Sequence, residues 1–192
     1  MRRSSLLVLV LVLAGCATTP VPSAAPGWKL LSASPDVTEI QFQTTDNLNR
    51  ATVTDTGARG PFVNLTRDQG RITGTVRVDR PVELQLREGG REMVGRFAGD
   101  AFDLTVMPDG EEFRVQGFVR GDPTTFWLSP RRMRGTVGSC QFDLVWGAGR
   151  YTGSRTCGPL SQESLSVLVP AALASWSDPE VASLLAMMAP RQ

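Results

Sequence analysis

The sequence predicts an all-β fold: an antiparallel meander that closes into a small barrel or bends into a strongly curved sheet, with one or two C-terminal helices. Three observations predict it. Short segments of alternating polarity run from about residue 28 to residue 157. Turn signals built on Gly, Asp and Pro separate them about every ten residues. A glycine recurs in mid-strand, as it does where sheets bend sharply.

The strand candidates include RITGTVRV at 71–78, PVELQL at 81–86, AFDLTV at 101–106 and EFRVQGFV at 112–119. In the second, Val82, Leu84 and Leu86 point one way, and Glu83 and Gln85 the other. That is the period of half-buried antiparallel strands. Between the segments lie Glu88-Gly89-Gly90, Gly99-Asp100, Pro108-Asp109-Gly110, Gly121-Asp122-Pro123 and Gly147-Ala148-Gly149, which imply hairpins.

The recurrent glycines are Gly74, Gly95, Gly117, Gly135 and Gly153, at intervals of 21, 22, 18 and 18 residues, or roughly two strands each. Phe102-Asp103-Leu104 and Phe142-Asp143-Leu144 stand at matching distances after Gly95 and Gly135. A glycine inside a strand weakens it, so recurrence needs a reason. One is curvature, with aromatic side chains from neighbouring strands lying over the gap; the other is backbone lining a ligand cavity. Curvature is the reading adopted, and it favours closure.

With Ala148-Gly149 at the centre of a hairpin, Trp146 faces Tyr151 and Cys140 faces Cys157. Counting from Gly147 makes the cysteines a non-hydrogen-bonded pair, the close kind that a cross-strand disulfide spans. A competing reading makes Gly138-Ser139-Cys140 a turn and leaves Cys140 at a strand edge.

The C-terminal part differs in kind. Ser177-Asp178-Pro179-Glu180 is a helix-start signal, and Val181, Leu184, Leu185 and Met188 follow on one apolar face. Residues 161–175 also read as helical, broken or kinked at Pro170. A helix here needs an apolar surface. With Gly121-Asp122 as a turn, Phe118 faces Thr125 and Gln116 faces Trp127, which makes Phe118 and Trp127 diagonal neighbours. The expectation is that a terminal helix covers them; the functional alternative is an exposed aromatic binding patch.

Composition excludes much chemistry. The chain has no histidine, which removes Ser-His-Asp and Cys-His catalysis and histidine metal sites. Its 3 cysteines cannot build a four-thiolate zinc site. Asp103 and Asp143 occupy matching places opposite the Phe and Leu side chains, where solvated charges belong. A tight Gly99-Asp100 hairpin would set Arg96 opposite Asp103, a weak surface pair. Arg131, Arg132 and Arg134 form one basic cluster, which reads as a solvated turn and strand face. No catalytic residue, metal or cofactor is expected, and a formal charge of +1 favours no nucleic acid.

The first sixteen residues, MRRSSLLVLVLVLAGC, place Arg2 and Arg3 before an apolar run at 6–13 that is too short to span a bilayer as a finished helix. The ending Leu13-Ala14-Gly15-Cys16 resembles the lipobox of bacterial lipoproteins. The resemblance covers the targeting segment alone. It implies that the peptide before Cys16 is removed and that Cys16 is acylated, anchoring the chain in a bilayer. Several acyl chains hold permanently where one binds reversibly. Ala17 and Thr18 are not Asp, which in this class points to the outer membrane, facing the periplasm. Such export also supplies an oxidising compartment for Cys140 and Cys157.

The expected organisation is a signal peptide at 1–15, a lipidated cysteine and proline-rich tether at 16–27, a β-domain at 28–158 and a helical segment at 159–192 packed on it. The expected role is a non-enzymatic envelope module for interaction or assembly with envelope proteins. A carrier of an apolar ligand, lipocalin-like in architecture only, is the alternative, and a carboxylate-dependent hydrolase a distant third.

Overall fold

The computed structural model describes residues 30–158 and 161–189. The described residues form fourteen antiparallel strands and one α-helix. The first seven strands are β1 (Glu39–Gln43), β2 (Leu48–Thr54), β3 (Gly57–Gly60), β4 (Val63–Asp68), β5 (Arg71–Val76), β6 (Arg80–Leu86) and β7 (Glu92–Phe97). Then come β8 (Asp100–Asp109), β9 (Glu112–Val119), β10 (Asp122–Leu128), β11 (Arg132–Val137), β12 (Cys140–Gly147), β13 (Arg150–Cys157) and β14 (Ser161–Leu168). A 3-10 turn (Ala171–Ser175) leads to α1 (Asp178–Met188).

Each strand pairs with the next, and β14 returns to β1 through Gln41↔Leu168, Phe42↔Val167 and Gln43↔Ser166, closing the ring. The meander and the all-β class are as expected, but fourteen strands make a larger barrel than the small one expected. Tight turns keep the meander in order. Gln69-Gly70, Ala98-Gly99, Arg120-Gly121 and Ala148-Gly149 each carry positive φ at both residues, the turn whose twist matches that of its strands.

Alternation sets the radial direction of every side chain. Ile40, Leu65, Ile72, Leu84, Leu104 and Val115 face inward at 0% exposure. Glu83, Gln85, Arg96 and Gln141 face outward and are exposed. Apolar inside and polar outside is the reverse of a membrane-spanning barrel, whose outer face is the apolar one.

The helix corrects an expectation. It packs not on the outside but within the ring. All residues of α1 from Pro179 to Met188 are buried. Leu185 and Ala186 lie beside Phe42, Phe126 and Leu165, while Met187 and Met188 lie beside Val63 and Val76, which are strand residues from different sides of the ring. The reason is volume. About eight strands enclose a space that side chains alone fill, whereas fourteen leave a lumen that needs a further element. The helix suits it because Ala182 and Ala186 are buried beside the larger residues, and the small Ser183 is buried with them, its hydroxyl without a hydrogen-bond partner among the described residues. Ser177 caps the helix, with Glu180 completing a capping box.

Residues 161–175 are not helical: 161–168 are β14 and 171–175 a 3-10 turn. Leu165 and Val167 face inward between less buried neighbours, a strand pattern, and β14 is the strand that closes the ring. The β-domain therefore extends past residue 158 to Leu168, correcting the expected boundary.

The mid-strand glycines fall on β5, β7, β9, β11 and β13, one per two strands. Curvature explains them. A Cβ on Gly117, whose φ is 147°, would lie 2.0 Å from the Asp103 carbonyl oxygen of β8. What that glycine admits is the neighbouring strand, not a ligand. At Gly135 the paired residues are Phe126 and Phe142, whose ring centroids are 6.0 Å apart across the gap.

Candidate functional site

Antiparallel order gives the barrel two mouths. At the entry mouth the segment before β1 comes in, β14 ends and α1 begins. The far mouth carries the β1–β2, β5–β6 and β13–β14 connections, with Met187 and Met188 beneath it.

The expected aromatic pair is not brought together. The β9–β10 turn is Arg120-Gly121, so Phe118 pairs with Pro123 and Trp127 with Arg114. Phe118 and Trp127 thus stand four positions apart along the pairing, about 13 Å. Among the described residues no helix covers them. Phe118 is 50% exposed. Trp127 is held by its neighbours: Arg114 and Arg134, from the two flanking strands, place their guanidinium carbons 5.8 and 4.7 Å from its ring centroid. Its Nε1 donates to Asp109 Oδ2 at 2.9 Å. An indole so engaged offers little to a partner.

Asp143 accepts from Arg132 Nε at 2.8 Å and Nη2 at 2.5 Å. That hydrogen bonding and the positive charge hold its carboxyl below the ordinary value despite slight burial. Arg134 pairs with Glu112 at 2.7 Å. Asp103 faces Val94 and Phe118, not Arg96, because the turn is Ala98-Gly99; Arg96 faces Ala101 and Glu83. Asp103 and Asp143 therefore sit in unlike surroundings and form no acid pair. Cys140 and Cys157 face each other with Cα atoms 4.1 Å apart and sulfurs at disulfide distance, 2.06 Å. Gly138-Ser139 is itself the turn, and Cys140 opens the strand after it, so both readings of that stretch meet. Cys16 lies outside the described residues. Among the described residues no cluster of metal-ligating side chains occurs, and no helix is long and apolar enough to cross a membrane.

The lumen has little spare room. Its gaps beside α1 measure about 20 and 10 Å³, the scale of one water. The larger space, about 240 Å³, is a cleft at the entry mouth. Leu30, Leu31 and Pro35 wall one side, Leu173, Trp176 and Val181 the other, and Asp178 stands at the edge.

Two latches build this cleft. On one side the segment before β1 is tied down. Ser34 N donates to Val169 O at 2.9 Å, and Ser34 Oγ donates to Gly149 O. Ser32 N donates to Tyr151 Oη at 2.8 Å, and that hydroxyl donates to Ser129 O at 2.9 Å. Tyr151 is wholly buried, which pushes its phenol up to about 12 against the opposing hydrogen bond from Ser32. On the other side Trp176 Nε1 donates to Thr54 O at 2.8 Å, and the Arg67 guanidinium lies 5.5 Å from its ring. Arg67 Nε also donates to Glu180 Oε1 at 2.8 Å. Burial raises the Asp178 carboxyl above its ordinary value. Among the described residues no ion pair reaches Asp178.

Sequence reading missed the cleft. Its two walls come from opposite ends of the chain, and no local pattern brings Leu30 beside Leu173. The one available signal was Leu30-Leu31, an apolar pair directly after the proline-rich stretch.

At the far mouth, burial and the charges of Arg80, Arg120 and Arg155 hold Arg77 below its ordinary value. This group is compensated: Arg120 pairs with Asp100 and Arg155 with Glu163. Set against known proteins, the chain matches no family model, no curated protein and no solved structure.

Proposed function

We propose that this chain is a lipid-anchored bacterial envelope lipoprotein whose barrel is a non-enzymatic module for interaction or assembly. The observation that carries the reading is the packed lumen. A barrel filled by its own helix, with gaps of about 20 and 10 Å³ beside that helix, leaves its surface and mouths for partners. The ion-paired carboxylates on the outer face support the same reading, since each has a structural task. The anchor rests on the resemblance around Cys16, and the outer-membrane, periplasm-facing location on Ala17 and Thr18. The bilayer is then one partner and envelope proteins the others.

The anchor is tested by Cys16→Ser. The expected result is an uncleaved precursor or a soluble protein. Unchanged membrane partitioning and a mature mass would reject it.

The apolar-carrier reading survives only at the entry mouth, where the cleft of about 240 Å³ admits a small apolar group. Native mass spectrometry of residues 17–192 decides between them. A clean protein mass favours the interaction module, and a stoichiometric hydrophobic adduct the carrier.

A further inference from the structure

We propose that the far mouth docks a second copy of this chain about a two-fold axis, through an apolar rim of Leu48, Phe62 and Val78. Three observations lead there. The first is where the exposed apolar side chains gather. Among the described residues five large hydrophobic side chains are exposed, and three of them are Leu48, Phe62 and Val78, at 45%, 45% and 78%. All three lie in or beside successive connections of this mouth, β1–β2, β3–β4 and β5–β6. Arg77 N donates to Phe62 O at 2.5 Å, which sets the last two connections side by side. Asn49, next to Leu48, lines one small gap together with Phe62 and Arg77. Single apolar residues on a surface are ordinary, whereas a contiguous patch marks a contact site.

The second is the backbone under Val78. Its φ is 61°, in the left-handed region, where a β-branched residue is out of place and glycine or asparagine sits at less cost. A side chain 78% exposed gains little from packing within the barrel to offset that cost. Strain of this kind gathers where a side chain is held out for another molecule.

The third is charge, which selects the occupant. Within three residues of the rim stand Arg59 and Arg80, and Asp46 and Asp79. Among the described residues none of the four has an ion pair. An anionic lipid surface would attract one half of this set and repel the other. A copy turned about a two-fold axis instead presents acid where the first presents base. With the axis between Phe62 and Val78, each Phe62 packs against the partner's Val78, and each Arg59 lies against the partner's Asp79. An apolar centre with a charged border is the usual build of a protein interface, and an isologous one closes at two copies. The strands themselves form a closed ring, so no strand edge is open to another chain, and association must use a mouth or an outer face. The inference goes beyond the interaction-module reading and holds whether or not Cys16 is acylated.

Native mass spectrometry of the full-length chain released from detergent, over a series of protein concentrations, tests it. The expected result is a dimer whose share rises with concentration. Phe62→Ser and Val78→Asn should each weaken it by about tenfold or more, the effect of truncating a central interface residue. Val78→Asn should leave the thermal transition no lower than the parent's, because asparagine enters the left-handed region more readily, so its loss of dimer is not a loss of fold. Monomer at every concentration, or a dimer indifferent to both substitutions, would overturn the proposal.

A charge exchange tests the two-fold arrangement. Arg59→Asp and Asp79→Arg should each weaken the dimer of that variant alone, since both symmetric contacts then join like charges. Mixing the two variants restores opposite charges at both contacts, so the mixed dimer should form as well as the parent's. A mixture no better than its components would overturn the pairing. A chain that stays monomeric, yet sediments with phosphatidylglycerol vesicles through Phe62 and Val78, would overturn the proposal and assign the rim to a lipid surface.

Discussion

Arg67 on β4 donates through Nε to Oε1 of Glu180, in the first turn of the lumen helix, at 2.8 Å. Glu180 is 1% exposed, and its other oxygen accepts from the backbone and hydroxyl of Ser177 at 2.7 and 2.8 Å. One carboxylate therefore caps the helix and ties it to the barrel wall. Burial opposes its ionisation, but Arg67 and the Ser177 donors together hold the carboxyl below its ordinary value. Glu180→Gln should cost about 2–3 kcal/mol at pH 7, the range for a hydrogen bond to a charged group. A depressed pKa makes this contribution complete above the unfolded value and lost as pH falls through the folded one. Denaturant unfolding at pH 7 and about pH 3 should show the gap between the two proteins closing in acid. A gap that does not change with pH would show that Arg67 is not the source.

The glycine on β9 should tolerate no side chain. A Cβ at Gly117 would sit 2.0 Å from a backbone oxygen, which cannot swing aside as a side chain can. Gly117→Ala should cost more than about 3 kcal/mol or prevent folding, a loss on the scale of overpacking plus backbone strain. Gly147→Ala is the control: nothing lies within 4 Å of its Cβ position, and the change should stay within about 0.5 kcal/mol. Equal effects at the two positions would contradict the close approach of β8 and β9.

The cysteine pair staples the β12–β13 hairpin across a separation of 17 residues. Closing a loop of that size is worth about 2–4 kcal/mol through the unfolded chain. Cys140→Ser should lower stability by that amount, measured by denaturant midpoint under non-reducing conditions. A matching midpoint for the variant and the parent would mean the thiols are not joined.

Tyr151 is the only tyrosine, so absorbance near 295 nm follows a single phenol. Its midpoint should lie near 12 in the folded protein and return towards 10 on unfolding. A raised pKa gives stability that is full below the unfolded value and lost as pH climbs through the folded one, so the barrel should weaken between about pH 10 and 12. Tyr151→Phe should cost about 1–3 kcal/mol, because Ser32 N and Ser129 O lose their partner. An ordinary midpoint in the folded state would place the hydroxyl in water.

How far each element was legible depends on the range of the forces behind it. Strand polarity is written residue by residue, as in Val82, Leu84 and Leu86 against Glu83 and Gln85. The β12–β13 register was also local, since Ala148-Gly149 and the cysteines point to one pairing. The β9–β10 register was misread because its turn puts Arg120 at φ 58°, a conformation that propensity assigns to glycine. That one-residue error turned Phe118 and Trp127 into neighbours, although their partners are Pro123 and Arg114. Residues 161–168 read as helix because serines alternate with leucine and valine too weakly to prefer one period.

By itself the sequence determined the all-β class, the alternation that faces Leu84 and Leu104 inward, the hairpin of Cys140 and Cys157, and a capped helix starting at Ser177. Only the tertiary structure decided that the ring closes between β1 and β14, that it takes fourteen strands, that α1 lies inside it, and that Leu30 meets Leu173 at a cleft. The physical reason is that a side chain's radial direction follows from its own strand. Closure, lumen volume and the element that fills it depend on the staggers of all fourteen strands together.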